Sequence, residues 1–531
     1  MTLHWLDLLV PCAYLLALAF VVWSSSRRVR SSDDLFIAGR SLGFGVIGLS
    51  LFASNISSTT LIGLSGAAYS SGISVANYEW MAAVVMLFTA VFLIPVYLRN
   101  RCRTVPEFLG LRYGLGVRRY VSAWMIGLSL LVDTAGSLFA GAMVLQVFVP
   151  GLPLWPVVIG LGLVSGLYTV IGGLRAVMMT DALQALILIA GSAAIAYMVF
   201  QQFDFSWAAA TANLPADHLS LVRPADDPSM PWTGLVLGVP ILGLYYWGMN
   251  HYISQRFFAA RSEDHARWGA ILAAALKLLP VFIMVLPGAM AVSLYPSLTS
   301  GDQVFPTLVR DLLPIGIRGL VIAALLAAIM STIDSTINAA SALVHYDFLN
   351  PERECSTSVQ QAQSCAEQRS SELPRARVLT IAFMLIAILW APVIEGFPGL
   401  FHYLQQMFAV AAPPFVVLYC LGLSSRGVTE RSAWWCLLVG HGLGIVLMVM
   451  AQLDAWPLHF LETAGLTTMI CFAVQALASR GGHQRKTRPE GALLWSRSML
   501  PMSKNYGPTR DYRCWMVVLL GATAALLASF W

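Results

Sequence analysis

Residues 49–66 read LSLFASNISSTTLIGLSG. A polar knot of Ser54, Asn55, Ser57, Ser58, Thr59 and Thr60 sits among apolar neighbours. None of these side chains is charged, yet in lipid every hydroxyl, amide and freed backbone group needs a partner inside the protein. A helix that breaks here exposes carbonyl oxygens beside the hydroxyls, a setting for a small hard cation such as Na+ and for a polar solute. The competing reading is helix packing, with Ser and Thr bonded back to their own turn or to a neighbouring helix. The rest of the chain decides between the two.

Of the 531 residues, 58% are hydrophobic and 11% charged, against about 25% charged in a soluble domain. The chain therefore reads as an all-α, polytopic membrane protein. Fourteen stretches have the length of about 20 residues that a bilayer requires. They run over 4–24, 44–70, 76–98, 118–149, 153–172, 176–200, 232–251, 267–296, 316–346, 374–394, 398–423, 432–452, 457–478 and 514–531. Basic residues gather in the odd-numbered loops, among them Arg27, Arg28, Arg30, Arg101, Arg103, Arg118, Arg256 and Arg267. The long loop at 201–231 holds only Arg223. Odd loops are thus expected in the cytoplasm and both termini outside, in a plasma (inner) membrane. The net charge of +5 follows from that topology and signals no nucleic-acid partner. Eight cysteines without a CxxC pair predict reduced thiols. The first apolar run is too long, and lacks the basic flank, for a cleaved signal. Segments 351–373 and 479–513 read as solvated connectors.

Ionisable groups inside spans are costly and therefore candidates for function. Glu79 begins the third span beside Tyr78, Asp133 lies in the fourth, Asp181 begins the sixth, and Lys277 lies within the eighth. A salt bridge or an interfacial position would also account for Lys277 and Glu79. Gln405 and Gln406 fall in the eleventh span. The ninth, LLAAIMSTIDSTINAASALVHYDFL over 325–349, places Ser331, Thr332, Asp334, Ser335 and Thr336 within two turns. Ser331 and Ser335 share a face, and neutral oxygens with one carboxylate suit Na+ better than a divalent ion. A packing stripe is the alternative. The seventh span, with Gly238, Pro240, Gly243 and Gly248, is a second interrupted helix five spans after the first. No GxxxxGK[ST] loop, metal-spaced histidines or catalytic constellation is present in the sequence, so neither an ATP-driven pump nor an enzyme is expected.

Six blocks then stand in order: SLFASNISSTTLIGLSGAA (50–68), NYEW (77–80), TVPEFLGLRYG (104–114), GGLRAVMMTDALQ (172–184), LYYWGMNHYISQRFFAA (244–260) and PIGIRGLVIAALLAAIMS (314–331). With these the chain resembles the sodium/solute symporter family, and within it the sodium–glucose cotransporter branch. The resemblance implies an inverted five-plus-five repeat of the LeuT-like kind and about 14 transmembrane helices. It implies a first helix and cytoplasmic loop over 1–43 and a ten-helix core over 44–425, with repeats roughly at 44–200 and 232–425. Three C-terminal helices would follow over 426–531, with a cytoplasmic loop near 479–513.

The resemblance also implies residue roles. The family's sodium site falls on Ala53, Ile56, Ala328, Ser331 and Thr332. A second cation or proton site maps to Asp181 with Ser331, Asp334 and Ser335, although the family usually has a hydroxyl where Asp334 stands. Solute-binding positions match at Glu79, Lys277 and Gln405. They depart at Thr60, where Gln or His is usual, at Ala82, and at Gly243, where Asn or Thr is usual. The inner aromatic gate falls on Tyr246 and the outer lid on Leu64, Tyr78 and Phe401. The implied activity is sodium-coupled import of a sugar or related polyhydroxylated solute by alternating access, with Na+ as coupling ion and no cofactor. A symporter of organic or amino acids, a solute sensor and a sodium-permeable channel are the alternatives.

Overall fold

The computed structural model describes residues 4–148, 151–351, 373–392, 400–480, 493–500 and 511–530. The described residues form helices and connecting turns with two isolated β-bridges. Among the described residues, twelve helices are long and apolar enough to cross a membrane, and the bent pair Phe44–Asn55 and Ser58–Ser71 makes thirteen. The expected fifth span is the shorter apolar helix Leu154–Leu167. It runs on without a loop into the sixth, as one helical stretch Leu154–Gln201 broken only at Gly173. Gly173 has φ +61°, and a Cβ there would stand 2.8 Å from the Leu35 carbonyl oxygen. Chain direction and close packing therefore both call for glycine.

Burial sorts the helices into centre and rim. In the ninth span, Ile317–Leu349, 89% of the most apolar window is buried, against 28% in Trp5–Ser26 and 17% in Tyr512–Ser529. The rim helices turn Trp5, Leu16, Phe20, Leu389 and Val517 outward, as expected where the outer solvent is lipid. The ninth span packs against the long helix Leu154–Gln201 and against both halves of the broken second span. Small residues permit this approach: Ala323, Ala324, Ala327, Ala328 and Ser331 are all buried.

Two sequence expectations need correction. Arg118, Arg256 and Arg267 were counted with the loop arginines, but they are 5%, 0% and 0% exposed. Each lies on a helix end turned into the protein, where it is neutralised: Arg118 by Asp347 at 2.7 Å, Arg256 by Asp181 at 3.1 Å, and Arg267 by Glu263. The loop 479–513 is also not wholly solvated. Within it, Trp495 donates from Nε1 to the Val91 carbonyl at 2.9 Å, and the buried Met499 offers its carbonyl to Arg267 at 2.7 Å. Its apolar side chains anchor this stretch, which overall polarity had hidden. Residues 481–492 and 501–510 of this loop, and 352–372 of the other connector, lie outside the described residues.

Candidate functional site

The polar knot breaks its helix. Phe44–Asn55 ends, Ile56 leaves the helical region at φ −86°, ψ 82°, and Ser58–Ser71 begins after a 60° bend. Ser57 caps the new helix by accepting the Thr60 N–H at 3.2 Å, and Thr60 Oγ1 donates to the Asn55 carbonyl at 3.0 Å. The knot thus satisfies part of its own backbone and leaves other oxygens facing the ninth span. There Ser331 Oγ lies 3.2 Å from the Ala53 carbonyl and 3.1 Å from that of Ala328, and Thr332 Oγ1 lies 3.2 Å from the Ala328 carbonyl. Ala53, Ile56, Ala328 and Ser331 are 0% exposed and Thr332 3%. The cluster consists of carbonyl and hydroxyl oxygens without a carboxylate. No group of three or more His, Cys, Asp or Glu able to hold a metal occurs among the described residues. Such a set suits a monovalent hard cation.

Asp181 belongs to a neighbouring network that the sequence did not foresee. Its Oδ2 accepts Ser50 Oγ at 2.6 Å, Ser54 Oγ at 3.1 Å and Arg256 Nη2 at 3.1 Å. The same guanidinium donates to Ser335 Oγ at 2.6 Å, Ser50 Oγ at 2.8 Å, Ser54 Oγ and the Tyr252 carbonyl. Asp334 accepts the Ser335 hydroxyl at 3.2 Å. Asp181, Ser335 and Ser54 therefore converge on an arginine. The QRFF of its block places Arg256 one turn beyond Tyr252 on the helix His251–Phe258, which was the available signal.

Beside the knot lies a central cavity of about 100 Å³, lined from the second, third, fourth, seventh, ninth and eleventh spans. Thr60, Tyr78, Glu79, Gly243, Tyr246, Thr332 and Gln405 all line it. Lys277 ends the helix Glu263–Leu276, pairs with Glu79 and donates to Asn55 Oδ1, with its ammonium 5.2 Å from the Trp247 ring centre. The Tyr246 and Tyr252 hydroxyls bond to each other, and the Phe408 ring centre stands 5.8 Å from that of Tyr246. Two π-helical turns shape the wall: Leu128–Thr134 presents Asp133, and Tyr245–Met249 presents Tyr246 and Trp247. Such turns are frequent at functional sites. Asn55, Asp133, Ser137, Tyr252 and Phe408 line the cavity without having been assigned to it from sequence.

Other expected positions stand apart. Ala82 and Leu64 are 1% and 0% exposed and belong to the packed core. The side chain of Phe401 lies outside the described residues. A Cβ at Gly243 would meet Val85 at 3.1 Å, so a neighbour already fills the space a larger residue would take. Tyr78 and Gln405, which hydrogen-bond each other, line both the central cavity and a second one of about 330 Å³. Ser229 and Met230 of the long loop help wall that second cavity. Burial pushes the Asp227 carboxyl up, but the Ser229 hydroxyl and the amides of Met230 and Ser229 outweigh it and hold it down at about 2.

Residues 35–440 match the sodium:solute symporter family. The chain belongs to that family. Among curated relatives of this symporter, human sodium/glucose cotransporter 4 is 30% identical over 94% of the chain and 80% of its own length. Rabbit (Oryctolagus cuniculus) sodium/myo-inositol cotransporter 2 is 33% identical, over 82% and 68%. A sodium/mannose cotransporter of Bos taurus is 31% identical, over 85% and 79%. A solved Na+-coupled sialic acid symporter superposes with a TM-score of 0.77 at 20% identity, covering 90% of this chain and 98% of that one. The nucleobase-cation-symport-1 transporter Mhp1 superposes at 0.54 and 14% identity, over 86% and 98%. At these identities the two structures establish the fold alone. The symporter is thus a multi-pass membrane protein with the LeuT-like architecture that its six sequence blocks implied.

Proposed function

We propose that this symporter imports a sugar or related polyhydroxylated solute with Na+ by alternating access across the plasma membrane, with both termini outside. The observation that carries the reading is the convergence of Ala53, Ala328, Ser331 and Thr332 oxygens directly beside a cavity lined by Glu79 and Gln405. Na+ held there bridges the broken second span and the ninth, with the Ile56 carbonyl completing the set. Its charge fixes the bend that shapes the solute cavity. Solute hydroxyls bond to Glu79 and Gln405, with Lys277 holding the Glu79 carboxylate in place, and a sugar face stacks on Tyr246. The larger cavity serves as the outer vestibule. Tyr78 and Gln405 are the wall that must part for entry, and Tyr246 with Tyr252 the wall that parts for release. Leu64 and Phe401 complete the outer lid, and Thr60 and Gly243 set the cavity's width.

Arg256 takes the place that a second cation would hold between Asp181 and Ser335, so one Na+ accompanies each solute. The ten-helix core over 44–425 does the moving, and the helices over 1–43 and 426–531 brace it. Sugar relatives at 30–33% identity over most of the chain support the solute class. A thermal-shift screen of the purified protein with sugars, polyols and sugar acids, in Na+ and in K+, tests the reading. Stabilisation by neutral or amine-bearing polyols in Na+ alone is expected; a response confined to sugar acids, or equal in K+, would reject it.

A further inference from the structure

The cavity carries one more carboxyl group than the proposed sugar chemistry uses. Its lining holds two carboxylates, Glu79 and Asp133, and no basic side chain. Glu79 is neutralised from behind by Lys277. Asp133 is 8% exposed, and its Oδ2 has no hydrogen-bond partner. Helix packing does not explain it. At the same turn Thr134 does that work, bonding to Thr336 Oγ1 and to the Ser129 carbonyl, each at 2.6 Å. The π-helical turn Leu128–Thr134 sets Asp133 in the wall of the cavity that Tyr246 and Tyr252 also line. Those two hydroxyls already bond each other.

A buried carboxylate without a partner is costly, and in a membrane protein such a group marks a ligand pathway. The group that satisfies both a bare carboxylate and nearby aromatic faces is a protonated amine. We infer that Asp133 is a specificity residue for a cationic amine on a polyhydroxylated solute, so that the preferred substrates are amino sugars or amino polyols. The inference rests on the proposed sodium-coupled uptake of a polyol. Glu79 and Gln405 would take the hydroxyls and Asp133 the ammonium group.

The test is competition and binding with glucosamine, galactosamine and mannosamine, each against its N-acetylated form and its parent hexose. It uses the full-length protein in Na+ at pH 6.5, where a sugar amine is charged. At least one free amine is expected to bind at least tenfold more tightly than its N-acetyl and neutral counterparts. Asp133→Asn should bring that ratio within about twofold, and Asp133→Glu should restore part of it. The wild-type ratios alone decide if a variant fails to fold. Equal binding within all three sets, or a preference that survives Asp133→Asn, would overturn the inference while leaving sodium–polyol symport standing. A thermal shift by Na+ alone that disappears in Asp133→Asn would assign the carboxylate to a cation and overturn it as well. Failure of these sugars, and of the polyols of the thermal-shift screen, to bind in Na+ would remove the underlying reading too.

Discussion

At the residue scale the proposed sodium coupling depends on oxygens whose side chains advertise little. Ser331 and Thr332 were legible as candidates because hydroxyls one turn from a buried acid are conspicuous in an apolar span. In the proposed sodium site Ala53, Ile56 and Ala328 contribute backbone carbonyls, and only the family resemblance pointed to them, since alanine and isoleucine carry no polar side chain. The double variant Ser331→Ala/Thr332→Ala is expected to lose sodium-driven uptake; undiminished uptake in Na+, or a retained Na+ thermal shift, would detach the ion from this cluster. Gln405→Ala removes a proposed solute partner and should weaken binding by about 1–3 kcal/mol, the usual cost of leaving a buried polar group unsatisfied. Isothermal titration with the transported solute would show it, and wild-type affinity would place the solute elsewhere. Glu79→Gln acts differently. It strands the Lys277 ammonium, which is 0% exposed, so a stability loss of about 3–5 kcal/mol is expected on top of weaker binding. Unfolding in a denaturant series reads that loss directly.

At the element scale the broken second span was readable from its polar knot, because six small polar residues within 54–60 cannot remain in lipid without local backbone partners. The π-helical turns were not readable. One extra residue in a helical turn has no compositional mark, yet it sets where Asp133, Tyr246 and Trp247 point. Arg256 was misassigned for a related reason: a basic residue just past an apolar run looks the same in sequence whether its helix end faces solvent or the protein interior. Only packing against Ser50, Ser54 and Asp181 distinguishes them. The Gly173 break predicts a stability effect independent of transport. An alanine there must hold φ near +61° with ψ near −168°, a glycine-only region costing about 1–3 kcal/mol, and its Cβ would press on Leu35. Gly173→Ala should therefore lower the melting temperature and the yield of folded protein; a variant as stable as wild type would mean that the two spans can rejoin in another way.

At the scale of the whole molecule, span count and order were largely legible, because hydrocarbon thickness sets helix length and loops declare themselves by charge. What the sequence could not show is how two cavities share one wall. Tyr78 and Gln405 come from the third and eleventh spans, far apart in sequence, and meet only through the helix arrangement. If, as proposed, Arg256 replaces a second cation between Asp181 and Ser335, the single Na+ brings one positive charge inward per cycle. The membrane potential then contributes about 2.3 kcal/mol per 100 mV for that charge, added to the sodium gradient. The most direct test is solute uptake into proteoliposomes holding the purified protein, with an inward Na+ gradient, an inward K+ gradient or neither. The account predicts accumulation above equilibrium with Na+ alone, enhanced by an inside-negative potential. Uptake that merely equilibrates, or that proceeds equally in K+, would contradict it.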